Sequence, residues 1–489
     1  MQLAARIQDR WRGPGGCGEV LRIAFPLILS TGAHAIQMFV DSVLLARHSN
    51  AEMAAAMQAG IASFALGSFF LGVATYVNTF VAQYVGAGRL QRVGASVWQG
   101  IYFSLAAGVV MLAAIPAART AFAWMGHGEP HRTYEIQYFQ ILCSGTWAML
   151  LGASLSSFFT GRGRTWVVCV VNTVATGVNI IGDYALIFGR WGFPEMGVRG
   201  AALATVVSGV FAAAAYAVLF FSRRHRETYG TLSGWRPEKD LLRRLMRYGL
   251  PNGVQFMLDM LAFNLFVALV GRIDARAFEA TTITFRLNIL AFMPMIGLGI
   301  AVQTLVGQAL GQDRPKLAAR STWSAFYVSM TYMTAVAIGY WTVPQWFVQP
   351  FVGEANAERM AELAPLVAQL LAFVAFYSLF DTGNIIFAGT LKGAGDTRFV
   401  MMLSVGLIWL VMVLPCWLAV RYRLGPDDGL YVAWGFATLY VCLCSLAFLG
   451  RFLQGRWARM RVIERAQPGV TAAVAAPIPE PPTAPLESL

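Results

Sequence analysis

Apolar runs of about twenty residues, enough to cross a hydrocarbon core of roughly 30 Å as a helix, recur along this 489-residue chain. Short polar stretches separate them. Twelve runs predict twelve spanning helices near 19–46, 53–83, 96–118, 132–160, 166–189, 199–222, 244–271, 278–308, 320–343, 358–390, 397–421 and 429–453. The fold class this implies is all-α integral membrane.

The runs also repeat. Pro26 in FPLIL matches Pro251 in LPNGV, and VAQYVGAGR at 81–89 matches VGQALGQDR at 306–314, which sets Gln83 over Gln308 and Gly86 over Gly311. Both offsets are 225 residues. Ala204 and Thr205 match Ala437 and Thr438 at an offset of 233. Repetition over half the chain predicts two bundles of six helices. Because six is even, both halves enter the membrane from the same side, as parallel repeats around a central cleft. The expected layout is a cytoplasmic segment at 1–18, a first lobe at 19–222, a basic linker at 223–243, a second lobe at 244–455 and a cytoplasmic, largely disordered tail at 456–489, Pro/Ala-rich after about Ala466.

Composition agrees with a lipid solvent. The chain is 57% hydrophobic and only 13% charged, against about 25% charged in soluble proteins, and its mean hydropathy is +0.57. The net charge of +12 is unevenly placed. If the N-terminus is cytoplasmic, 26 of the 37 Lys and Arg fall on that side and 10 on the other. This positive-inside asymmetry puts both termini in the cytoplasm. The basic block at 222–247 then faces anionic lipid headgroups; without a base-reading module it is no sign of nucleic acid. The first run is too long for a cleavable signal. Six cysteines form no CxxC and sit mostly in apolar runs, so they read as small buried hydrophobes.

Four aspartates are expensive where they stand. Asp41, Asp183, Asp259 and Asp381 fall inside the first, fifth, seventh and tenth spans. Each charged residue at a helix centre costs about 2.5–3.5 kcal/mol, so they must be protonated, paired or bound to a cation. Asn179 and Asp183 are four apart on one helix face, as are Tyr377 and Asp381. Such oxygens suit a hard cation, and a buried carboxyl alone suits a proton. Arg286 in the eighth span either pairs with Asp259 or snorkels. His34, two turns before Asp41, is either a proton relay or a packing residue.

The ordered motifs FPLIL…FVDSVLLAR, VAQYVGAGR, NIIGDYALIFG, GAALAT, GLPNGVQFMLD, VGQALGQ and FDTGNIIFAGTLKGAGDT resemble the multidrug and toxic compound extrusion family over nearly the whole chain to about residue 455. The likeness is to its bacterial sodium-coupled branch. It implies two six-helix lobes and export of organic, often cationic, compounds in exchange for Na+ or H+. It also implies a first-lobe ion site at Asp41, Asn179, Asp183, Thr205 and the Ala201 carbonyl. A second-lobe site follows at Asp259, Tyr377 and Asp381, although that branch usually has glutamate where Asp259 stands. Pro26 matches a proline at which some members bend, and Pro251 is its repeat partner.

The function this predicts is a secondary antiporter in the bacterial inner membrane, exporting amphipathic organic cations or drugs in exchange for inward Na+ or H+ by alternating access, needing no cofactor beyond the coupling ion and acting as a monomer among lipids. No GxxxxGK[ST] stretch offers direct ATP drive. A flippase for lipid-linked sugars or anionic lipids on the same fold is the alternative; it calls for several basic residues in the cleft, where the sequence offers Arg286 alone. An intramembrane enzyme is a remote third reading, because His127 and His131 lie in a predicted outer loop without a third ligand.

Overall fold

The computed structural model describes residues 10–124, 128–349, 357–422 and 425–464. Helices occupy every predicted span. They are α1 (Cys17–His48), α2 (Asn50–Gly86), α3 (Leu90–Ala114), α4 (His131–Gly161), α5 (Thr165–Ile187) and α6 (Val198–Phe220). The second half supplies α7 (Lys239–Ile273), α8 (Ala275–Gly311), α9 (Pro315–Thr342), α10 (Ala357–Ala394), α11 (Thr397–Arg421) and α12 (Pro426–Leu453). Among the described residues, eleven helices are long and apolar enough to span a membrane. The exception is α9, whose span mixes Lys316 and Arg320 with serine, threonine and tyrosine.

Two helices carry local irregularities, the second of them between Gly406 and Pro415. The helix α2 breaks at Tyr76 before resuming at Val77, and α11 passes through a π turn at Ile408–Val413. Such turns widen the helix by one residue per turn. The helix α1 runs unbroken through the buried Pro26, and α7 runs unbroken through Pro251.

The two halves meet along α1, α2, α7 and α8 in contacts that occur twice. A β-carbon on Gly72 would lie 2.7 Å from the Gly253 Cα, and one on Gly297 would lie 3.0 Å from the Ile28 nitrogen. Adding 225 to 72 and to 28 gives 297 and 253, so each contact is the copy of the other. Each also lies two residues after its half's proline. Further along, Asn78 donates to Thr304 Oγ1 at 3.1 Å and Gln303 donates to Thr79 Oγ1 at 2.8 Å. At the end, Gln83 donates to the Gly393 carbonyl at 2.9 Å and Gln308 to the Gly161 carbonyl at 2.8 Å. Three repeat-related pairs define an approximate two-fold axis running between the bundles.

These contacts close one end of the molecule, the end at which both described termini lie. Ser324 donates to the Gly15 carbonyl at 2.7 Å. The segment after α12 folds back across the seam, where Trp457 stacks on Phe452 at 5.1 Å. The Val462 amide donates to Gln83 Oε1 at 2.9 Å. Glu464 accepts from Tyr84 at 2.8 Å and pairs with Arg89, Arg92 and Arg244, so one carboxylate ties α2 and α3 to α7. Burial opposes its charge, but hydrogen bonds from the backbone, Tyr84 and Arg244 outweigh it and hold the Glu464 carboxyl below the usual range. The largely disordered tail expected at 456–489 thus opens with a docked strap, ahead of the Pro/Ala-rich stretch after about Ala466. Its anchors are one aromatic stack and one acid among arginines, too sparse a pattern to announce order in the sequence. Residues 465–489 lie outside the described residues.

At the other end, large apolar side chains are exposed on the central helices. Ile36, Met38 and Phe39 on α1, Met57 and Ile61 on α2, and Ile289 and Leu290 on α8 are among them.

Candidate functional site

In the first half, α1 and α5 pack together and bring three of the expected residues into one cluster. Asn179 and Asp183 are fully buried, and Asp41 on α1 is partly buried. With its amide nitrogen facing the acids, Asn179 donates to Asp41 Oδ1 at 2.9 Å and to Asp183 Oδ2 at 3.2 Å. The Asp41 and Asp183 carboxyls also lie within hydrogen-bonding reach of each other. Two carboxylates this close cannot both stay bare, and a proton or a cation between them relieves the repulsion. Asp183 Oδ1 has no protein partner. Turned the other way, the Asn179 amide would add an oxygen to those of the two acids, the donor set a hard cation takes.

Other first-half residues surround this cluster without entering it. His34 is exposed, hydrogen-bonded to Gln37 and within electrostatic reach of Asp41. Tyr138 on α4 faces both acids electrostatically. The Ala201 carbonyl accepts the Thr205 hydroxyl at 3.1 Å, and the Ala201 side chain packs with Leu45, Ala56, Ile187 and Val198. Close approach of α5 to α6 occurs at Gly182 and Ala204, the neighbours of Asp183 and Thr205. Thr205 thus stands beside the cluster, with its own hydroxyl engaged backwards on its helix.

In the second half, α7, α10 and α12 converge. Asp381 accepts from Asn384 at 3.0 Å, and the Tyr377 hydroxyl, one turn earlier, accepts from Asn288 at 3.1 Å. Gln255 lies one turn before Asp259 and beside it, and its amide donates to Ser404 Oγ at 3.1 Å. Asp259 is partly buried. Its Oδ1 has no partner. Tyr440 and Cys444 on α12 lie in electrostatic reach of both Asp259 and Asp381, so the two acids flank one helix face. Gly383 lets α10 approach α12 there, since a β-carbon on it would sit 2.3 Å from Ser445 Oγ.

Of the two readings left open for Arg286, pairing with Asp259 is not found. Arg286 is exposed on α8, whereas the cation facing Asp259 is Lys392, near the end of α10. The sequence placed Lys392 at a membrane boundary, where a lysine is unremarkable. Its main chain is held across the seam, with the Lys392 carbonyl accepting from Tyr76 at 2.9 Å.

The reading of the spans also passed over Asn288, Tyr440, Glu52 and Glu135. The two glutamates are buried, each with a histidine one turn earlier, His48 at 3.0 Å and His131 at 3.4 Å. Acids in i,i+4 register with histidine near span ends were the available signal. His131 opens α4 rather than lying in a loop, His127 lies outside the described residues, and the described residues contain no His, Cys, Asp and Glu group able to hold a metal.

The MatE family model matches residues 26–185 and again residues 251–418, one match per half, each starting at the repeated proline. The chain belongs to the MatE family. It is 24% identical over 454 residues to the probable multidrug resistance protein NorM of Thermotoga maritima, covering 91% of this chain and 94% of that one. It is 26% identical over 457 residues to the NorM of Pseudomonas syringae pv. tomato, covering 92% and 98%. A multidrug resistance MATE family transporter of the MOP superfamily, solved in an outward-facing conformation, superposes with a TM-score of 0.82 at 18% identity, covering 92% of this chain and 98% of that one. As a MatE family member with eleven described helices able to span, the chain is a multi-pass membrane transporter and not an enzyme.

Proposed function

We propose that this MatE family member exports amphipathic organic cations across a bacterial inner membrane in exchange for inward Na+ or H+, with both termini in the cytoplasm. The observation that carries this reading is the Asp41–Asn179–Asp183 cluster. It gathers two acids and an amide inside an apolar bundle, where their charge must be shared with a mobile cation. The second acid group, Asp259 and Asp381 around Tyr440, gives the other bundle a comparable docking point for positive charge. The named relatives are multidrug resistance proteins, which supports drugs as the cargo.

In this reading the closed end is the cytoplasmic one, and the exposed apolar side chains of α1, α2 and α8 line a cleft open to the outside. Entry of an ion at the acids weakens their hold on the cationic drug. Each charge moved inward supplies about 2.3 kcal/mol per 100 mV, so one or two charges drive export by a few decades. One chain holds both bundles, and a monomer suffices.

The test is accumulation of ethidium or a fluoroquinolone in cells expressing wild type, Asp41→Asn, Asp259→Asn or Asp381→Asn. Wild-type cells should accumulate several-fold less than the variants, and the dependence on Na+ or on a proton gradient identifies the ion. Equal accumulation in all four strains, at equal expression, rejects drug export by these acids.

A further inference from the structure

A cavity of about 960 Å³ lies apart from both acid clusters, at the closed end, between α7, α11 and the strap after α12. Its charged lining is lopsided, with Arg243, Arg244, Arg247, Arg398 and Arg461 against Asp240 and Glu464. Both acids are already spoken for by Arg244, and Arg461 pairs with Asp313 at 2.7 Å. Arg243, Arg247 and Arg398 are exposed and have no acidic partner among the described residues. They form a concentration of uncompensated positive charge at the rim of a concave surface.

The rest of the lining is apolar. Leu250, Pro251, Val254 and Met401 continue from the arginines along the spanning parts of α7 and α11. Leu250 and Met402, at the edge of this wall, are exposed and thus present hydrocarbon to the surrounding membrane. A ligand that satisfies both surfaces carries an anionic phosphate at one end and hydrocarbon at the other. A soluble phosphate leaves the apolar wall unused, and an uncharged lipid leaves three guanidinium groups unpaired. Guanidinium is the side chain best shaped for a phosphate diester, and basic pockets between helix ends are a recurrent form of lipid headgroup site.

We propose that this cavity binds an anionic phospholipid, its phosphate held by Arg243, Arg247 and Arg398 and its acyl chains laid along Leu250, Val254 and Met401. Because Val462, Ile463 and Glu464 complete the wall, the bound lipid also packs on the strap that ties the two bundles together. The site is independent of the ion and drug reading, since it uses none of the four intramembrane aspartates.

The experiment is native mass spectrometry of the full chain released from detergent after titration with phosphatidylglycerol, phosphatidylcholine or water-soluble glycerol phosphate. Phosphatidylglycerol is expected to be retained about tenfold better than phosphatidylcholine. The R247Q/R398Q variant should lower that retention about 10- to 30-fold, given roughly a kcal/mol per basic group near an anionic surface. R247K/R398K should keep most of it, which separates loss of charge from loss of fold. Equal retention of the two lipids, or unchanged retention by R247Q/R398Q, overturns the proposal. Glycerol phosphate displacing phosphatidylglycerol at equal concentration overturns the lipid assignment in favour of a soluble phosphate. Binding that strengthens on removal of residues 465–489, which carry Glu480 and Glu487, makes the chain's own tail the occupant and overturns it as well.

Discussion

A β-carbon placed on Gly86 would sit 2.1 Å from the Gln308 carbonyl oxygen, and one placed on Gly311 would sit 2.2 Å from that of Gln83. The two contacts are copies of one another 225 residues apart, and they are the points where the bundles come closest at the closed end. No side chain fits either place without backbone movement. Gly86→Val and Gly311→Val are therefore expected to hold that end ajar and to reduce drug export at least tenfold at unchanged expression. Labelling of a cysteine introduced at Thr79 should rise in both. Gly209→Ala, where an added β-carbon meets open space, is the control and should export normally. Normal export by the valine variants would show that the seam need not close.

Lys392 is the cation facing Asp259 although the two are distant in sequence. Removing the lysine alone leaves an acid in an apolar bundle without its compensating charge, which destabilises more than removing both. Lys392→Met should lower stability by about 1–2 kcal/mol, and Asp259→Asn combined with it should recover most of that loss. Thermal melting of the four proteins in one detergent measures the coupling. Additive effects within about 0.5 kcal/mol mean the pair does not interact.

Asn179 is the residue that lets Asp41 and Asp183 share a site. Asn179→Leu keeps the volume but removes both the donor and the oxygen, so the acids face each other with nothing between. Loss of a buried hydrogen-bond partner to charged groups costs about 1.5–3 kcal/mol. Export is expected to fall by an order of magnitude or more, with the melting temperature lowered. Asn179→Gln, which retains the amide, should keep part of the activity. If leucine and glutamine behave alike in transport, the amide has no role in ion exchange.

The sequence carried most of this architecture because lipid makes a plain demand. Every span had to be long and apolar, and an aspartate such as Asp183 stands out against Val and Ile neighbours. The repeat was legible for a related reason: Gly86 and Gly311 are kept small by the same crossing, so the offset appears in both copies. Lys392 was hidden because a lysine at a span boundary is ordinary, and only the folded chain shows that it faces Asp259 on α7. Asn288 and Tyr440 were hidden because neutral polar residues are cheap in a bundle and their partners lie on other helices. The strap at 456–464 had no local signal because its order comes from Glu464 meeting Arg89, Arg92 and Arg244, residues from distant parts of the chain.

His225 gives a pH dependence with a defined sign. Its ring sits against Phe158 and Tyr229, with Nδ1 donating to the Leu219 carbonyl at 2.8 Å and Nε2 accepting from Arg162 at 3.1 Å. Burial and then the Arg162 charge push its pKa down to about 4, from an ordinary value of 6.5. The folded chain therefore keeps the ring neutral while the unfolded chain protonates it near 6.5. Between those values the unfolded state binds more protons, so stability falls as pH drops from about 6.5 towards 4 and changes no further below that. The ring is only partly buried, which limits the loss to about 1 kcal/mol after allowing for solvent screening, or about a degree in Tm for a chain of this length. Melting curves at pH 7.5 and 4.5 should differ by about a degree more for wild type than for His225→Asn, which cannot titrate. Equal shifts for the two proteins would show that His225 is not held neutral by this packing.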